Sequence, residues 1–306
     1  MMQEKKFLFV INPISGGVDK SLLPQKIEIF SKRYSLQTEI IKTTGENDPE
    51  RIEELIESFA PDTLVACGGD GTVNMVAQIA FKRNCELGLI PGGSANGMAT
   101  ELGIPDDFDE ALDFLVESKT IACDLLRVND HLCIHLADVG LNAALIERFE
   151  KSNQRGWWGY AREFVQQWKE RYEVRYQVKT DGESKERKIK GLVAIIANAT
   201  VFGTGACVNP NGKINDGVFE IIVFKPQGIF GFLGTTLRSF FGKLSNSPFA
   251  KTISAKSAQL TLSKEQPLQV DGEFICKTRR VDISVEESAL KIIGSNRYQN
   301  GLQIFD

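Results

Sequence analysis

Histidine is almost missing from this chain: His131 and His135 are the only two in 306 residues. A Ser-His-Asp hydrolase has nothing to be assembled from. The spacing "HLCIH" would put His131, Cys133 and His135 on one face of a strand. With no acidic pair in the same pattern, a plain β-strand is the expectation rather than a metal site. The six cysteines never fall at C-x-x-C spacing, which argues against a zinc ribbon. They sit mostly within apolar runs and read as reduced, buried small hydrophobes of a cytoplasmic protein. No apolar run approaches the ~18 residues of a membrane span. The run Phe7 to Ile11 is stopped by Asn12-Pro13 and is too short for a signal peptide. With 36 Lys and Arg against 40 Asp and Glu, the net charge of −4 provides no basic field for nucleic acid. Neither G-x-x-x-x-G-K-[ST] nor G-x-G-x-x-G occurs, which sets aside P-loop enzymes and ordinary dinucleotide-binding dehydrogenases.

What is present is an ordinary globular composition, 42% apolar and 25% charged, with length enough for two domains. In residues 1–123 short apolar runs ("FLFVI", "TEII", "TLVAC", "LGLI") alternate with helical patterns. Ile52, Leu55, Ile56 and Phe59 fall on one helical face, and Val73, Val76, Ala77 and Ala80 repeat the spacing. Alternating strand and helix predicts an α/β domain, a parallel sheet with helices on both faces. From Asp124 to residue 294 the runs are closer together and β-rich. Turns are expected at Asn129-Asp130 and Asp181-Gly182, and helices at 159–170 and within 228–244. This half reads as a β-sandwich with helical insertions.

Three glycine-bearing loops follow predicted strands: "NPISGG" (Asn12 to Gly17), "GGDGT" (Gly68 to Thr72) and "PGGSANG" (Pro91 to Gly97). In open α/β sheets ligands bind beyond the carboxyl ends of the strands. Glycine lets backbone N–H groups approach a ligand, and a following helix N-terminus favours anions. Any one loop is explained by a tight turn; three on one edge point to a polyphosphate. Asp70 among phosphates makes sense if Mg²⁺ lies between.

The ordered set "NPISGG", "GGDGTVN", "PGGSAN", "DGVFE" and "VDGE" resembles the diacylglycerol kinase catalytic-domain family, which includes bacterial soluble lipid kinases and is related to sphingosine and ceramide kinases. G-G-D-G-T alone is shared with NAD kinases and phosphofructokinases. The resemblance spans nearly the whole chain. It implies an NAD-kinase-like or diacylglycerol-kinase-like N-terminal domain, a C-terminal β-sandwich, an active site in the cleft between them, and a return of residues 295–306 to the first domain. It implies ATP contacts from Asn12, Pro13, Ser15 and Gly16, from Thr43 (or the adjacent Thr44), from Gly68, Gly69, Asp70, Gly71, Thr72 and Asn74, and from Gly93, Ser94 and Asn96. It further implies a Mg²⁺ site at the Asp216 carboxylate and backbone carbonyls near Lys213 and Val218, although Asn-Asp-Gly is also good turn sequence. Asp271 and Glu273 form the D-G-E of "QVDGEF", where one carboxylate would take the proton of a lipid hydroxyl. On a strand both would face one side; a turn leaves the geometry open.

Gly97 stands where bacterial diacylglycerol kinases often carry an aspartate, and "GSAN" is closer to the sphingosine and ceramide kinase style. The expected acceptor is therefore diacylglycerol-like or sphingoid-like. Trp157, Trp158, Phe230, Phe232, Phe240 and Phe241 are candidates for its apolar site or for contact with the membrane interface, with core packing as the plainer reading. Arg238 and Lys243 are too few for a strong anionic-lipid clamp. The expected protein is cytoplasmic, peripheral at the inner face of the membrane, with a lipid partner, no nucleic-acid partner and no transmembrane segment. The rivals are an NAD kinase-like nucleotide kinase and a non-catalytic nucleotide- or lipid-binding regulator, the latter favoured by Gly97.

Overall fold

The computed structural model describes residues 4–17, 19–140, 173–183, 185–202, 206–210, 212–225 and 248–295. These form two compact units, one of residues up to 123 together with 288–295, the other of residues 124–202 and 206–287.

The first unit runs β1 (Lys6–Ile11), α1 (Leu23–Tyr34), β2 (Gln37–Lys42), α2 (Asp48–Phe59), β3 (Thr63–Gly68), α3 (Asp70–Arg83), β4 (Glu86–Pro91), α4 (Gly97–Leu102) and α5 (Phe108–Glu117). Its strands are parallel in the order β4–β3–β1–β2. The near-continuous apolar strings of β1, β3 and β4 are buried along their length, as strands covered on both faces must be. At the sheet edge β2 instead alternates exposed and half-buried residues. Ile52 and Ile56 of α2 are buried while Leu55 and Phe59 are half-buried; Val73, Val76, Ala77 and Ala80 of α3 are all buried. On α1, Phe30 meets Phe7 and Phe9 edge-on, at 90° and 87°. Asp107 caps α5 by accepting from the N–H groups of Asp109 and Glu110.

Two features of this sheet create a site. Ile11, Cys67 and Ile90 are in register, so β1, β3 and β4 end at one level and their three loops open on one edge. The chain leaves β1 for β2 on one side and returns by α2 to β3 on the other. That reversal is the switch point at which such sheets bind ligands.

The second unit is antiparallel β. It contains the end of β5 (Lys119–Val128), then β6 (His131–Cys133), β7 (Leu136–Gly140), β8 (Val174–Thr180), β9 (Arg187–Gly191), β10 (Val193–Ala197), β11 (Val201–Phe202), β12 (Ala206–Cys207), β13 (Phe219–Phe224), β14 (Ala250–Ala255), β15 (Ser257–Val270) and most of β16 (Glu273–Gly294). One row is β14–β13–β10–β7–β15. The first half of β15 pairs instead with β8, which pairs with β9. The strings "AQLTLS" and "PLQV" belong to one strand with a register shift between Thr261 and Gln266. That irregularity lets β15 serve β8 with Ala258–Leu262 and β7 with Leu268–Val270. The core between includes Tyr176, Phe219, Ile221, Leu260 and Leu268.

The turns at Asn129-Asp130 and Asp181-Gly182 join β5 to β6 and β8 to β9, as expected. The string "HLCIH" departs from expectation. The strand stops at Cys133, and Ile134 and His135 form a bend, so the two histidines do not share a strand face. The bend exists because three successive N–H groups leave the ladder for a carboxylate, described below. The end of β16 belongs to the first unit, where Ile292 pairs in parallel with Leu87 of β4. The expected helices at 159–170 and 228–244 lie outside the described residues, as do Trp157, Trp158, Phe230, Phe232, Arg238, Phe240, Phe241, Lys243 and residues 296–306. No helix among the described residues is long and apolar enough to cross a membrane.

Candidate functional site

The three glycine loops are packed on one another. Asn12 donates its backbone N–H to the Cys67 carbonyl (2.9 Å) and its side-chain amide to the Thr72 hydroxyl (3.1 Å). Ser15 donates its hydroxyl to the Gly92 carbonyl at 3.1 Å, and Gly92 N–H donates to the Gly68 carbonyl at 2.9 Å. Asn96 accepts the Gly93 N–H at 2.8 Å. These contacts decide where glycine is needed. A Cβ on Gly93 would lie 2.4 Å from the Gly69 Cα, and one on Gly16, whose φ is +67°, would lie 2.5 Å from the Gly92 carbonyl oxygen. Around Gly71 a Cβ would meet nothing within 4 Å. Gly16, Gly69 and Gly93 thus let backbone pack on backbone, a reason beyond the exposure of donors, while Gly71 faces open space.

Asp70 is the first residue of α3, after Gly69 at the N-cap. Its Oδ1 is buried and has no hydrogen-bond partner among the described residues. A carboxylate oxygen in that condition costs stability unless something completes it. The start of the helix also carries the positive end of its dipole, although Thr72 gives its own N–H to the Gly69 carbonyl at 2.9 Å. Thr72 and Asn74 are buried, Asn74 accepting from the Gln78 amide at 3.2 Å. Ser94 and Pro13 are exposed, and Thr43 is half-buried. Thr44 is engaged with the Asp48 carboxylate, through its N–H at 2.9 Å and its hydroxyl at 3.3 Å.

Lys20 was not legible as a site residue. It is 5% exposed and donates from Nζ to the Ser15 carbonyl at 2.5 Å. Burial lowers its ammonium from its ordinary value. A Cβ on Gly92 would strike its Cε at 2.5 Å, so Lys20 sits between the first and third loops. Only a lysine a few residues beyond "NPISGG" signals it in sequence.

In the second unit, Asp271-Gly272 is the two-residue turn between β15 and β16, with φ of 48° and 91°. Positive φ at both central residues is what a tight hairpin requires and what Asp-Gly supplies. The Asp271 carboxylate accepts the N–H of Ile134 at 2.8 Å, of His135 at 2.9 Å and of Leu136 at 3.1 Å, with the Cys133 thiol at 3.5 Å. Burial raises its carboxyl, opposed by the Ile134 and His135 N–H groups. Burial, then the Asp271 charge, push the Cys133 thiol up, which keeps its proton on sulfur. Glu273, two residues on, is exposed.

The turn before β13 is stitched to Asp124, a residue with no motif of its own in the sequence. Asp124 donates its N–H to the Ile214 carbonyl and accepts the Gly217 N–H on Oδ2, both at 2.7 Å. Its signal was a carboxylate inside the apolar string "IACDLL". Asp216 accepts the Val218 N–H at 3.3 Å; burial first, and then the Asp124 charge, raise its carboxyl. A carboxylate that feels the charge of another suits a cation. Among the described residues no three His, Cys, Asp or Glu side chains converge as a metal site. Mg²⁺ here would rest on Asp216, turn carbonyls near Lys213 and Val218, and water, an oxygen set it accepts.

Two family models match the chain: the diacylglycerol kinase catalytic domain over residues 6–128 and the YegS C-terminal NAD kinase beta sandwich-like domain over residues 136–294. The lipid kinase YegS of Escherichia coli (strain K12) is 31% identical over 236 residues, which cover 74% of this chain and 78% of that protein. Among solved structures, a diacylglycerol kinase from Bacillus anthracis str. Sterne is similar with a TM-score of 0.73 at 20% identity, covering 96% of this chain and 98% of that one. A yeast NADH kinase complexed with NADH is similar at 0.55 and 13% identity, covering 98% of this chain and 87% of that one. At these identities the structural likenesses speak for the fold, an α/β domain followed by a β-sandwich, as the sequence predicts.

Proposed function

Since this chain belongs to the YegS-like lipid kinase family with a diacylglycerol kinase catalytic domain, we propose that it transfers the γ-phosphoryl group of ATP to a lipid hydroxyl, with Glu273 as the general base. The observation that carries the phosphate half is the buried Oδ1 of Asp70, without a hydrogen-bond partner among the described residues, at the helix start between three glycine loops on one sheet edge. The observation that selects the base is the state of the two carboxylates in the D-G-E turn. Asp271 is occupied by three N–H donors, whereas Glu273 is exposed.

In this reading the loops around Asn12, Gly69 and Gly93 hold the phosphates, and the first N–H groups of α3 face their charge. Asp70 would hold Mg²⁺ on the phosphate side, and Asp216 with carbonyls near Lys213 and Val218 would hold a separate structural or activating Mg²⁺; the ion at the phosphates would supply neutralisation of their charge. Glu273 takes the proton of the acceptor hydroxyl. The acceptor oxygen bonds to the γ-phosphorus, the bond to the β–γ bridging oxygen breaks, and ADP leaves. Positioning and charge stabilisation supply most of the rate in such transfers. The acceptor is diacylglycerol-like or sphingoid-like, met at the inner membrane face by a cytoplasmic protein.

The test is purified protein with γ-labelled ATP, Mg²⁺, NAD⁺ and mixed micelles of diacylglycerol, monoacylglycerol, sphingosine or ceramide. Labelled lipid that disappears in Glu273→Gln is the expected result. Label on NAD⁺ instead of lipid would transfer the assignment to a nucleotide kinase.

A further inference from the structure

Beneath the D-G-E turn lies a second tie, separate from the Asp271 anchor. Gln269 is 1% exposed and Asp138 is 0% exposed. The Gln269 side chain donates from Nε2 to Asp138 Oδ2 at 2.5 Å and accepts the Gly272 N–H on Oε1 at 2.7 Å. Both ends of one buried amide are therefore used, one on a carboxylate and one on the tip of the turn. Gln269 and Asp138 face each other across β15 and β7. On the other side of β15 the register slips: Leu268 pairs with Cys276, but Gln269 pairs with Phe274, so Ile275 has no partner. Such a bulge twists the strand and re-aims the side chains beside it.

An Asp-Gly hairpin closes without any of this, since its own backbone satisfies the turn. Burying a carboxylate and an amide is also a poor way to gain stability, because an apolar pair of the same volume avoids the desolvation. What the arrangement adds is direction: the Gly272 N–H is pinned from below, one residue before Glu273. We propose that Gln269 is a positioning residue, its amide clamped between Asp138 and Gly272 so that the turn presents Glu273 in one orientation. This rests on Glu273 being the base.

The experiment compares full-length wild type with Gln269→Leu, Gln269→Glu, Asp138→Asn and Glu273→Gln. It uses two readouts, amide hydrogen exchange and steady-state transfer from γ-labelled ATP to diacylglycerol micelles across pH. In Gln269→Leu the Gly272 amide should exchange about tenfold faster while amides of β13 are unchanged. Its kcat should fall roughly 10–100-fold with KM for ATP within about twofold, the signature of a misplaced group. In Asp138→Asn an acceptor oxygen still faces the Gln269 amide, so most activity should remain. In Gln269→Glu the facing carboxyls share one proton at acid pH and keep the clamp; losing that proton sets two charges face to face. Activity relative to wild type should therefore fall as pH rises, a limb that simple destabilisation does not create. If Gln269→Leu loses protection throughout the unit, the pH profile of Gln269→Glu decides. An unchanged Gly272 amide in Gln269→Leu, or an unchanged pH profile in Gln269→Glu, overturns the clamp. Full activity in Glu273→Gln overturns the base assignment itself and with it the purpose of the clamp, whatever the exchange at Gly272 shows.

Discussion

The carboxylate of Asp271 is anchored on the backbone N–H of His135 at 2.9 Å, across 136 residues of sequence. The neighbouring N–H groups of Ile134 and Leu136 complete the anchor. Asp271 therefore holds the bend that ends β6, and its removal strands three donors. Asp271→Ala should lower stability by about 2–4 kcal/mol, read as a fall in melting temperature and denaturant midpoint.

Glu273→Gln should behave in the opposite way. The residue is exposed, so melting temperature should hold while kcat for lipid phosphorylation falls roughly 10²–10⁴-fold, the usual weight of a general base. ATP binding, measured by calorimetry, should be unaltered. Retained turnover would remove Glu273 from the mechanism.

Two glycines of neighbouring loops separate packing from openness. Gly93→Ala places a methyl group 2.4 Å from the Gly69 Cα, which pushes the second and third loops apart. The expected cost is about 1–3 kcal/mol, as for overpacking, with ATP affinity reduced as well. Gly71→Ala meets nothing within 4 Å and should leave stability within ~0.5 kcal/mol, as substitutions away from packed features do. Equal effects in a melting experiment would contradict the loop packing.

Asp70→Asn tests the orphaned oxygen. Its Oδ1 is buried with no partner among the described residues, so neutralising the group should not lower the melting temperature. Transfer should drop at least ~10²-fold, in line with the loss of one preorganised electrostatic group. A variant that melts earlier yet keeps full activity would make Asp70 structural.

Glu220 supplies a pH prediction. It is 7% exposed and accepts from Asn209 Nδ2 at 2.6 Å and from the Ser254 hydroxyl at 3.1 Å. Burial, more than these bonds offset, raises its carboxyl above the ordinary value. The folded state then binds the proton more tightly than the unfolded one, so stability is present below the unfolded pKa and lost as pH rises through the folded one. Glu220→Gln can accept from the Asn209 amide on its oxygen and donate its NH₂ to the Ser254 hydroxyl, without the charge. Its melting temperature should match wild type at pH 4 and exceed it at pH 8.

Much of the first unit was legible because its signals are local. "FLFVI" and "TLVAC" are continuous apolar runs, and a strand buried on both faces has no other pattern. The glycine loops were visible for the same reason, and so was the Asp271-Gly272 turn. Lys20, Asp124, Asp138 and Gln269 were not. Each is a polar residue whose meaning is a partner on another element, and a single string carries no record of that pairing. The two readings of "HLCIH" show the limit plainly: alternation favours a continuous strand, but Asp271 draws three of its N–H groups away.

The amino-acid sequence by itself determined the order of strands and helices, the places of the tight turns and the motifs that mark a lipid kinase. These depend on side-chain period, on which residues tolerate positive φ, and on residues adjacent in the chain. Only the tertiary structure decided which carboxylate of the D-G-E turn is held by backbone donors and which is exposed, and which glycines pack and which stand open. Those properties belong to hydrogen bonds and contacts between segments far apart in sequence, and they come into being only when the strands have paired.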